Sequence, residues 1–335
     1  MRIAITGADG MLGAHIVRAA LAAGHRVRAA LQPGRASSAL DGLDAERVEA
    51  ELLDPASLRS AFKGCDAVVN AAALTDVWPA RSARVRAVNY GGAVAVAEAV
   101  LGLGLAKLVH IGTANSFGPG PKANPGTEDS PYTDARYGLD YQDSKRAAQE
   151  ELLRLHAERG LPVSVINPSF MFGAYDAKPG SGAMILAVHA GAVPGYARGG
   201  KSYAYAGDVA SAAVAALERG VNGRCYLASG ENLSYAEAFS LIARELGVPS
   251  PRLALPAPAV LAVGALGSLA GALSGKAPKL SLPMARLANA ECYYSNARAA
   301  AELGMPCTPP RTAVREAFEW FAANGYLDRG RKGRR

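Results

Sequence analysis

The chain has 335 residues, of which 50% are hydrophobic and 19% are charged. This composition supplies enough apolar material for a large core and excludes an intrinsically disordered chain, and the 37 glycines follow no three-residue period, which excludes collagen. Much of the net charge of +7 comes from the basic segment 329–335. Because such a tail is typical of a solvated chain end, and the body does not alternate aromatic and basic residues, we expect no nucleic-acid partner.

Short apolar runs alternate with alanine-rich helical stretches along the first half of the chain. The predicted strands are residues 2–6, 25–31, 47–51, 67–70, 107–111 and 163–167, and the clearest helices between them are 11–23, 92–101 and 146–158. A helix at 208–218 and a strand at 224–228 follow later. Strand–helix alternation of this kind predicts an α/β fold, a Rossmann-type doubly wound parallel sheet with helices on both faces.

The pattern loosens after residue 168, and this change divides the chain. We predict a dinucleotide-binding domain over residues 1–170, to which residues 203–228 return. Residues 171–202 and 229–328 are predicted to form a smaller, mostly helical C-terminal substrate lobe, followed by the basic tail 329–335.

Residues 253–274 carry no charge, so they need separate consideration. Pro256 and Pro258 interrupt the start of this segment, which leaves an apolar run shorter than the ~20 residues that cross a bilayer. We expect a buried helix or a lid over a pocket, with peripheral membrane contact as the alternative. The sequence leaves open whether the protein forms a homodimer.

Cysteine spacing bears on metal content and on cellular compartment. Cys65, Cys225, Cys292 and Cys307 are far apart and have no histidine at ligand spacing, which argues against a zinc site and against a disulfide framework. We therefore predict no metal site. The first residues are typical of a strand rather than a signal peptide, so we expect a cytoplasmic location, with contact at a membrane surface as the variant of it.

Three glycines lie between the first predicted strand and the first predicted helix. Gly7, Gly10 and Gly13 have GxxGxxG spacing. Glycine permits a tight turn and a close approach to a pyrophosphate, and the helix N-terminus offers free N–H groups to the phosphates. The loop therefore predicts a dinucleotide site, whose binding residues also include Asp9, Met11 and Leu12.

The segment after the second predicted strand bears on the choice of cofactor. An acidic residue there would bind the ribose hydroxyls of NAD, whereas basic residues accept the 2′-phosphate of NADP. No carboxylate precedes Asp41, and Gln32 and Arg35 are available instead. We predict NADP, with NAD as the alternative. Further binding residues are expected after the third and fourth strands, namely Leu53, Asp54, Ala71, Ala72 and Ala73.

Tyr141 and Lys145 stand four residues apart, a spacing that places both side chains on one helical face. A tyrosine with a pKa of about 10 is a poor acid–base catalyst at neutral pH. A nearby ammonium group favours the phenolate, so we expect Lys145 to lower the pKa of Tyr141.

The glycine loop and the YxxxK motif together resemble the extended short-chain dehydrogenase/reductase family, also called the NAD-dependent epimerase/dehydratase family. The resemblance extends over residues 6–13, 70–73, 89, 109–118, 141–145, 167–173 and 207–209. It implies that Tyr141 protonates a carbonyl oxygen, that Thr113 orients this oxygen, and that Lys145 binds the nicotinamide ribose. Ser116 is the alternative to Thr113. Asn89, Pro168 and Ser169 are implied to line the nicotinamide, and a helix cap or backbone tie stays open for Asn89.

Departures from the family's motifs narrow the reaction. Sugar-nucleotide dehydratases carry an Asp-Glu pair after the catalytic Thr, where this chain has Ala114 and Asn115. The 167–173 and 293–296 segments look more like the dihydroflavonol-reductase and 3β-hydroxysteroid-dehydrogenase branch, which acts on bulky apolar alcohols and ketones. The residues expected to supply such a pocket are Ser116, Phe170, Met171, Phe172, Tyr175, Met184 and Tyr203, although aromatic and Met residues at this density are as often core.

Three functions follow from this resemblance. The first is an NADP-dependent oxidoreductase that transfers hydride between nicotinamide and a ketone or secondary alcohol on a steroid-, terpenoid- or flavonoid-like substrate. The second is a nucleotide-sugar epimerase, for which Lys201 lies near the position of a phosphate-gripping Arg. The third is a non-catalytic cofactor-binding regulator.

Overall fold

The computed structural model describes residues 1–35 and 37–327, so the predicted tail 329–335 lies outside the described residues. The strands are β1 (Arg2–Thr6), β2 (Arg26–Leu31), β3 (Ala45–Glu49), β4 (Ala67–Asn70), β5 (Lys107–Ile111), β6 (Val163–Pro168), β7 (Phe170–Phe172), β8 (Gly200–Tyr205), β9 (Arg224–Ala228), β10 (Glu231–Ser234) and β11 (Glu291–Cys292).

The helices fall between these strands and after them. They are α1 (Met11–Ala22), α2 (Pro55–Phe62), α3 (Ala83–Arg86), α4 (Gly92–Leu103), α5 (Asp140–Arg159), α6 (Ala183–His189), α7 (Ala206–Arg219), α8 (Tyr235–Leu246), α9 (Ala257–Ser274), α10 (Leu282–Ala288) and α11 (Pro310–Ala323). A π-helical turn, Ala87–Gly91, joins α3 to α4, and a second one covers Ala299–Leu303. Short 3₁₀ turns cover Ser38–Leu40, Ala114–Ser116 and Asp134–Tyr137.

The main sheet has seven strands in the order β3-β2-β1-β4-β5-β6-β9, and every neighbouring pair is parallel. Its central strands are buried on both faces, as expected for apolar strands covered by helices on either side. Helices α1 and α7 pack on one face, and α2, α4 and α5 pack on the other. The predicted Rossmann-type doubly wound sheet is confirmed.

The order of the strands fixes where a ligand can bind. The chain runs outward from β1 to β2 and β3, then returns to the other side of β1 with β4. Because the connecting helices leave in opposite directions at this point, a crevice opens between β1 and β4 at the carboxyl ends of the strands. The residues that follow these two strands, Gly7 and Ala71, therefore stand at the mouth of the crevice.

Several element boundaries differ from the sequence prediction, and two of these differences, in β3 and α5, bear on the sheet and the site. Strand β3 is shifted by two residues and covers Ala45–Glu49. It ends at Glu49 because this residue pairs with Leu31, the last residue of β2, and the chain then leaves the sheet. Helix α5 begins at Asp140 rather than residue 146, so Tyr141 and Lys145 lie inside it. Gly138 causes the early start: its left-handed backbone, with φ of 64°, ends the preceding 3₁₀ turn.

A second, four-stranded sheet belongs to the C-terminal lobe. Strand β8 lies at its centre, antiparallel to β10 on one side and parallel to β11 and β7 on the other. Within residues 203–228, α7 packs on the main sheet and β9 is its edge strand, whereas β8 belongs to the second sheet. The strands of the second sheet either have three residues or fewer, as β7 and β11 do, or carry polar residues, as β8 and β10 do. They therefore lack the continuous apolar run that identifies the buried strands of the main sheet.

Helix α9 contradicts the prediction of a buried helix, while the lid over a pocket stays a prediction. The helix begins directly after Pro256 and ends at Gly275, so the prolines limit it as expected. Only Val260, Gly264 and Gly271 are buried. By length and composition alone it is the one helix among the described residues that is long and apolar enough to cross a membrane.

Candidate active site

The glycine loop is shaped by the protein's own packing at two of its three glycines. Gly7 has a positive φ of 63°, and a Cβ atom there would lie 2.7 Å from the backbone nitrogen of Ala72. A Cβ atom on Gly13 would overlap the carbonyl oxygen of Gly7. Glycine at these positions lets the loop fold over the start of α1 and contact the segment after β4.

Gly10 differs from its two neighbours and indicates a cofactor. Its backbone is extended, and a Cβ atom there would meet only the carbonyl oxygen of Gly7, at 3.4 Å. Protein packing therefore leaves room for a side chain at Gly10, in front of the uncapped N-terminus of α1. Space at this point, together with the free N–H groups of the first helical turn, fits the pyrophosphate of a nicotinamide dinucleotide. The residues present thus fit the cofactor that the loop predicts.

A chain of buried polar side chains crosses the carboxyl ends of β1, β4 and β5. The Thr6 hydroxyl donates to Asn70 Oδ1 at 2.6 Å, and Asn70 Nδ2 lies 3.2 Å from His110 Nδ1. Burial, with a smaller effect of the nearby Lys145 charge, holds the pKa of His110 well below its ordinary value. A neutral, buried His110 is a structural residue of the strand.

The catalytic helix α5 is anchored at its first turn. Asp140 accepts from the Ser82 N–H at 2.6 Å and forms an ion pair with Arg81 at 2.8 Å, and Asp143 pairs with the same guanidinium. Carboxylates in the first turn also interact favourably with the helix dipole. These contacts fix the rotation of α5 and with it the direction of Tyr141 and Lys145.

The three predicted catalytic residues meet at the carboxyl end of β5. The hydroxyl of Thr113 lies beside that of Tyr141, close enough to lower the pKa of the phenol. Lys145 is buried, and its Nζ donates to the backbone oxygen of Ile111 at 2.5 Å. Ser116, the alternative to Thr113, is fully buried and its hydroxyl has no partner among the described residues. The structure therefore brings Thr113, and not Ser116, to Tyr141.

The pKa of Tyr141 shifts in the direction opposite to the expectation. Burial raises it above the ordinary value, and the Thr113 hydrogen bond and the charge of Lys201 oppose this effect only in part. Lys145 does not lower it, because the Lys145 ammonium is directed to the Ile111 carbonyl. Burial also lowers the pKa of Lys145 to about 8. The phenol is therefore protonated at neutral pH, the form that donates a proton.

Two asparagines hold the backbone around this site. Asn89, on the π-helical turn, exchanges hydrogen bonds of 2.8 and 2.9 Å with the backbone of Leu74 and donates to Ser144 on α5. These contacts correspond to the backbone tie left open for Asn89. Asn167 donates to the Thr113 carbonyl at 3.1 Å and to Gln149 on α5 at 2.7 Å. Asn167 thereby positions Thr113, a role that the sequence analysis did not assign.

The end of β6 contributes the residues predicted beside the nicotinamide. Pro168 is buried, and Ser169 is half-buried and donates its N–H to Ala228 at 3.2 Å. The Ser169 hydroxyl has no hydrogen-bond partner among the described residues. It is therefore available to a ligand.

The predicted adenosine end contains an ion pair that the sequence did not indicate. Arg35 Nε lies 3.0 Å from Asp9 Oδ2, so the cation expected to bind a 2′-phosphate is held by a carboxylate of the glycine loop. Gln32 is exposed beside it. On the far side of the loop, Leu53 is exposed, and Asp54 accepts from the Ala56 N–H as the cap of α2. One of the two Asp54 carboxylate oxygens therefore already accepts a hydrogen bond from the protein.

The predicted substrate pocket divides into core and cleft. Phe172 and Tyr203 are each 1% exposed and stack in the core of the lobe, so they do not line a pocket. Tyr175 packs against His15 and Trp320, on the side of α1 and α11. Their aromatic character reflects core packing, the alternative that the sequence left open. Phe170, Met171 and Met184 are half-buried and stay candidates.

Lys201 is a residue of the cleft that the catalytic prediction did not include. Its Nζ lies 5.2 Å from the centre of the Phe170 ring, and within the part of the chain that the structure describes it forms no ion pair. Burial lowers its pKa, but the surrounding Tyr235, Cys292, Asp134 and Tyr141 raise it, and the net shift is upward. A lysine on a strand otherwise rich in aromatic residues was the available signal.

Asp134 is the carboxyl group of this cluster. It is fully buried, accepts from Gln142 Nε2 at 3.0 Å, and burial raises its pKa to about 6. Across residues 1–35 and 37–327, no group of three His, Cys, Asp or Glu side chains could hold a metal ion.

Known proteins resemble this chain along most of its length. The profile of the NAD-dependent epimerase/dehydratase family matches residues 3–228. Sterol demethylase protein B of Methylococcus capsulatus is 28% identical over 332 residues, which cover 98% of this chain and 100% of that protein. A 4-hydroxy-2-methyl-3-oxo-4-farnesyl-3,4-dihydroquinoline-1-oxide ketoreductase of Stigmatella aurantiaca is 27% identical over 313 residues, 91% of each chain.

A solved structure extends the same comparison. A nucleoside-diphosphate-sugar epimerase from Pseudomonas aeruginosa superposes with a TM-score of 0.80 and 28% sequence identity, over 98% of this chain and 99% of that one. These similarities agree with the glycine loop, the parallel sheet and the Thr113–Tyr141–Lys145 group of the structure. The chain belongs to the NAD-dependent epimerase/dehydratase family and is an NAD(P)-dependent oxidoreductase of the extended short-chain dehydrogenase/reductase type.

Proposed function

We propose that the protein is an NADP-dependent reductase that transfers hydride between the nicotinamide and a ketone or secondary alcohol on a bulky apolar molecule of steroid, terpenoid or flavonoid type. The juxtaposition of the Tyr141 and Thr113 hydroxyls, at the start of the helix that carries Lys145, is the observation on which this rests. It supplies one proton donor and one orienting hydroxyl, which is what carbonyl reduction requires.

Each residue has one task in this reaction. The bound nicotinamide supplies or accepts the hydride. Thr113 holds the substrate oxygen, and Tyr141, kept protonated by burial, gives that oxygen its proton. Lys145, buried beneath them, binds the nicotinamide ribose and provides a fixed positive charge below its pKa of about 8.

The neighbours of Thr113 argue against dehydration of the substrate. Ala114 has only a methyl group and Asn115 has an uncharged amide, whose oxygen accepts from the Tyr294 hydroxyl, so neither side chain has a proton to donate or a basic site to accept one. Dehydration next to the carbonyl needs such a pair. A single transfer of hydride and proton is the reaction that fits.

Three observations support an apolar substrate. Phe170 and Met171 are half-buried at the start of β7, shortly after the end of β6. Both Phe170 and Tyr141 lie near Lys201. The names of two relatives, a sterol demethylase protein and a farnesylated-quinoline ketoreductase, refer to bulky apolar compounds. Each relative matches nearly the whole chain, substrate lobe included.

A panel of substrates tests the proposal. Oxidation of NADPH is followed by absorbance with steroid, terpenoid and flavonoid ketones, and the reverse reaction with the corresponding alcohols. We expect turnover of at least one apolar ketone, and Tyr141→Phe should lower it by about 10²–10⁴ while leaving cofactor binding nearly intact. Wild-type turnover in Tyr141→Phe would contradict the proposed site. Cofactor binding without turnover of any compound would favour the non-catalytic regulator.

A nucleotide-sugar epimerase is the second candidate, favoured by Lys201. This cation lies in the cleft near Tyr141 and forms no ion pair with a described residue, so it is available to a diphosphate. The Pseudomonas structure carries that activity in its name. Calorimetry with UDP-sugars on wild type and Lys201→Met distinguishes the two functions, because an epimerase should lose at least tenfold in affinity and an apolar-ketone reductase should show no UDP-sugar binding to lose.

A further inference from the structure

Helix α9 presents its large side chains to the outside. Leu266, Leu269 and Leu273 are 68%, 59% and 82% exposed, and Val263 is 58% exposed. The buried positions of the helix are instead Val260 and two glycines. In a helix that packs on a water-soluble core the arrangement is the reverse, with leucines inward and polar residues outward.

The packed face explains why the leucines cannot turn inward. A Cβ atom on Gly264 would lie 2.5 Å from the Ala285 Cβ of α10, and one on Gly271 would lie 2.7 Å from the Trp78 ring. A Cβ atom on Gly267 would overlap the Leu280 carbonyl oxygen. Only glycines allow α9 to approach its neighbours this closely, so the packing fixes which face is outside.

Positive charge surrounds this apolar face. Arg252 precedes α9, Lys276 and Lys279 follow it, and Arg286 lies on α10; all four are exposed. None of them forms an ion pair within the described ranges, and the sequence has no Asp or Glu from residue 250 to residue 290. An uncompensated basic rim around exposed leucines is complementary to an anionic lipid surface.

We propose that α9 is a membrane-docking helix that lies in the interfacial region of an anionic bilayer. Its leucines insert among the upper acyl chains, and the basic residues at its two ends contact lipid phosphates. It does not span the bilayer, because it has 18 residues and its glycine face remains packed on α10. The protein is therefore a peripheral membrane protein.

The proposal is independent of the substrate assignment. It rests on the exposure of α9 and on the charges around it, and not on the residues at Tyr141. A reductase that acts on a soluble ketone and binds vesicles would retain the docking surface and lose only the proposed substrate class.

Vesicle co-sedimentation of the full chain tests the proposal. We expect binding to phosphatidylcholine vesicles that contain phosphatidylglycerol, weaker binding to phosphatidylcholine alone, and loss of binding in high salt. Leu269→Gln/Leu273→Gln should weaken partition at least tenfold. Lys276→Gln/Lys279→Gln should weaken it by about fivefold per charge on anionic vesicles only. These four side chains are exposed, so the variants should fold as the wild type does.

Matched control variants separate the surface from general effects. Val221→Gln removes an exposed apolar side chain elsewhere, and Arg59→Gln/Lys63→Gln removes two exposed charges on and after α2; both should bind vesicles as the wild type does. Equal weakening by these controls would overturn the proposal. A wild-type dimer that becomes monomeric in Leu269→Gln/Leu273→Gln, without any vesicle binding, would assign the face to a second copy instead. Release from vesicles only by detergent would overturn the interfacial placement in favour of an inserted helix.

Discussion

At the scale of single residues, burial decides the chemistry of Tyr141 and Lys145. Burial raises the pKa of Tyr141 and lowers the pKa of Lys145 to about 8. Both shifts disfavour the charged form, as expected where side chains leave water. At neutral pH the pair is therefore a protonated phenol above an ammonium, the state required to reduce a carbonyl.

The alkaline side of the pH profile should report Lys145. As the pH rises through about 8 the Lys145 ammonium loses its proton, so kcat/KM for carbonyl reduction should fall above that pH. Lys145→Arg keeps a positive charge at all accessible pH values, so its profile, though lower, should lack this decline. Initial rates across the pH range check the prediction. Superimposable profile shapes for wild type and Lys145→Arg would assign the decline to another group.

The ion pair between Asp9 and Arg35 should limit the preference for NADP. Asp9 neutralises part of the charge that a 2′-phosphate would meet, so Asp9→Asn should strengthen NADP(H) binding relative to NAD(H) binding by several-fold. Arg35→Ala should weaken NADP(H) by about tenfold or more and leave NAD(H) little changed. Calorimetry with both cofactors measures this. An unchanged ratio in both variants would mean that the 2′-position binds elsewhere.

At the scale of elements, the β1–α1 turn separates a structural glycine from a binding glycine. Gly13→Ala places a Cβ atom onto the Gly7 carbonyl, so it should destabilise the fold by about 3 kcal/mol or more. The Cβ atom of Gly10→Ala meets no protein atom closer than 3.4 Å, and the backbone at this position is allowed for alanine. The free energy of unfolding should therefore change by less than about 1 kcal/mol.

Cofactor affinity should distinguish the same two glycines in the opposite way. The Gly10→Ala methyl group occupies the space proposed for the pyrophosphate, so the variant should lose at least tenfold in affinity while its denaturation midpoint is retained. Equal cofactor affinity in Gly10→Ala and wild type would place the phosphates outside this turn.

At the scale of the whole molecule, Lys107 connects separate parts of the domain. From the start of β5 its Nζ donates to Ser164 on β6 and to Gly220 and Asn222 in the turn between α7 and β9. Lys107→Met leaves these acceptors without their donor, so it should destabilise the fold by about 2–4 kcal/mol at pH 7. Urea denaturation measures the difference.

The same lysine should make stability depend on pH. Burial lowers the pKa of Lys107 from 10.5 to about 8, so between these values the unfolded chain holds a proton that the folded chain has released. Stability of the wild type relative to Lys107→Met should therefore increase as the pH rises from about 8 to about 10. A constant difference over that range would show that Lys107 remains charged in the fold.

The sequence alone determined the features that depend on neighbouring residues. The glycine spacing on a strand–loop–helix unit, and the four-residue spacing of Tyr141 and Lys145, are local, so the sheet, the glycine turn and the placement of these two side chains on one helix could be predicted. The strands around β8 were missed because they are polar or have three residues or fewer, and so lack the continuous apolar run of the main-sheet strands.

Only the tertiary structure decided which side chains are buried, and beside what. Packing of distant segments placed Phe172 and Tyr203 in the core, paired Arg35 with Asp9, and turned the leucines of α9 outward. It also directed Lys145 to the Ile111 carbonyl and buried Tyr141, which raised the pKa of its phenol. The physical reason is common to all of these: burial and charge depend on atoms that are close in space, and most of these partners lie far apart along the chain.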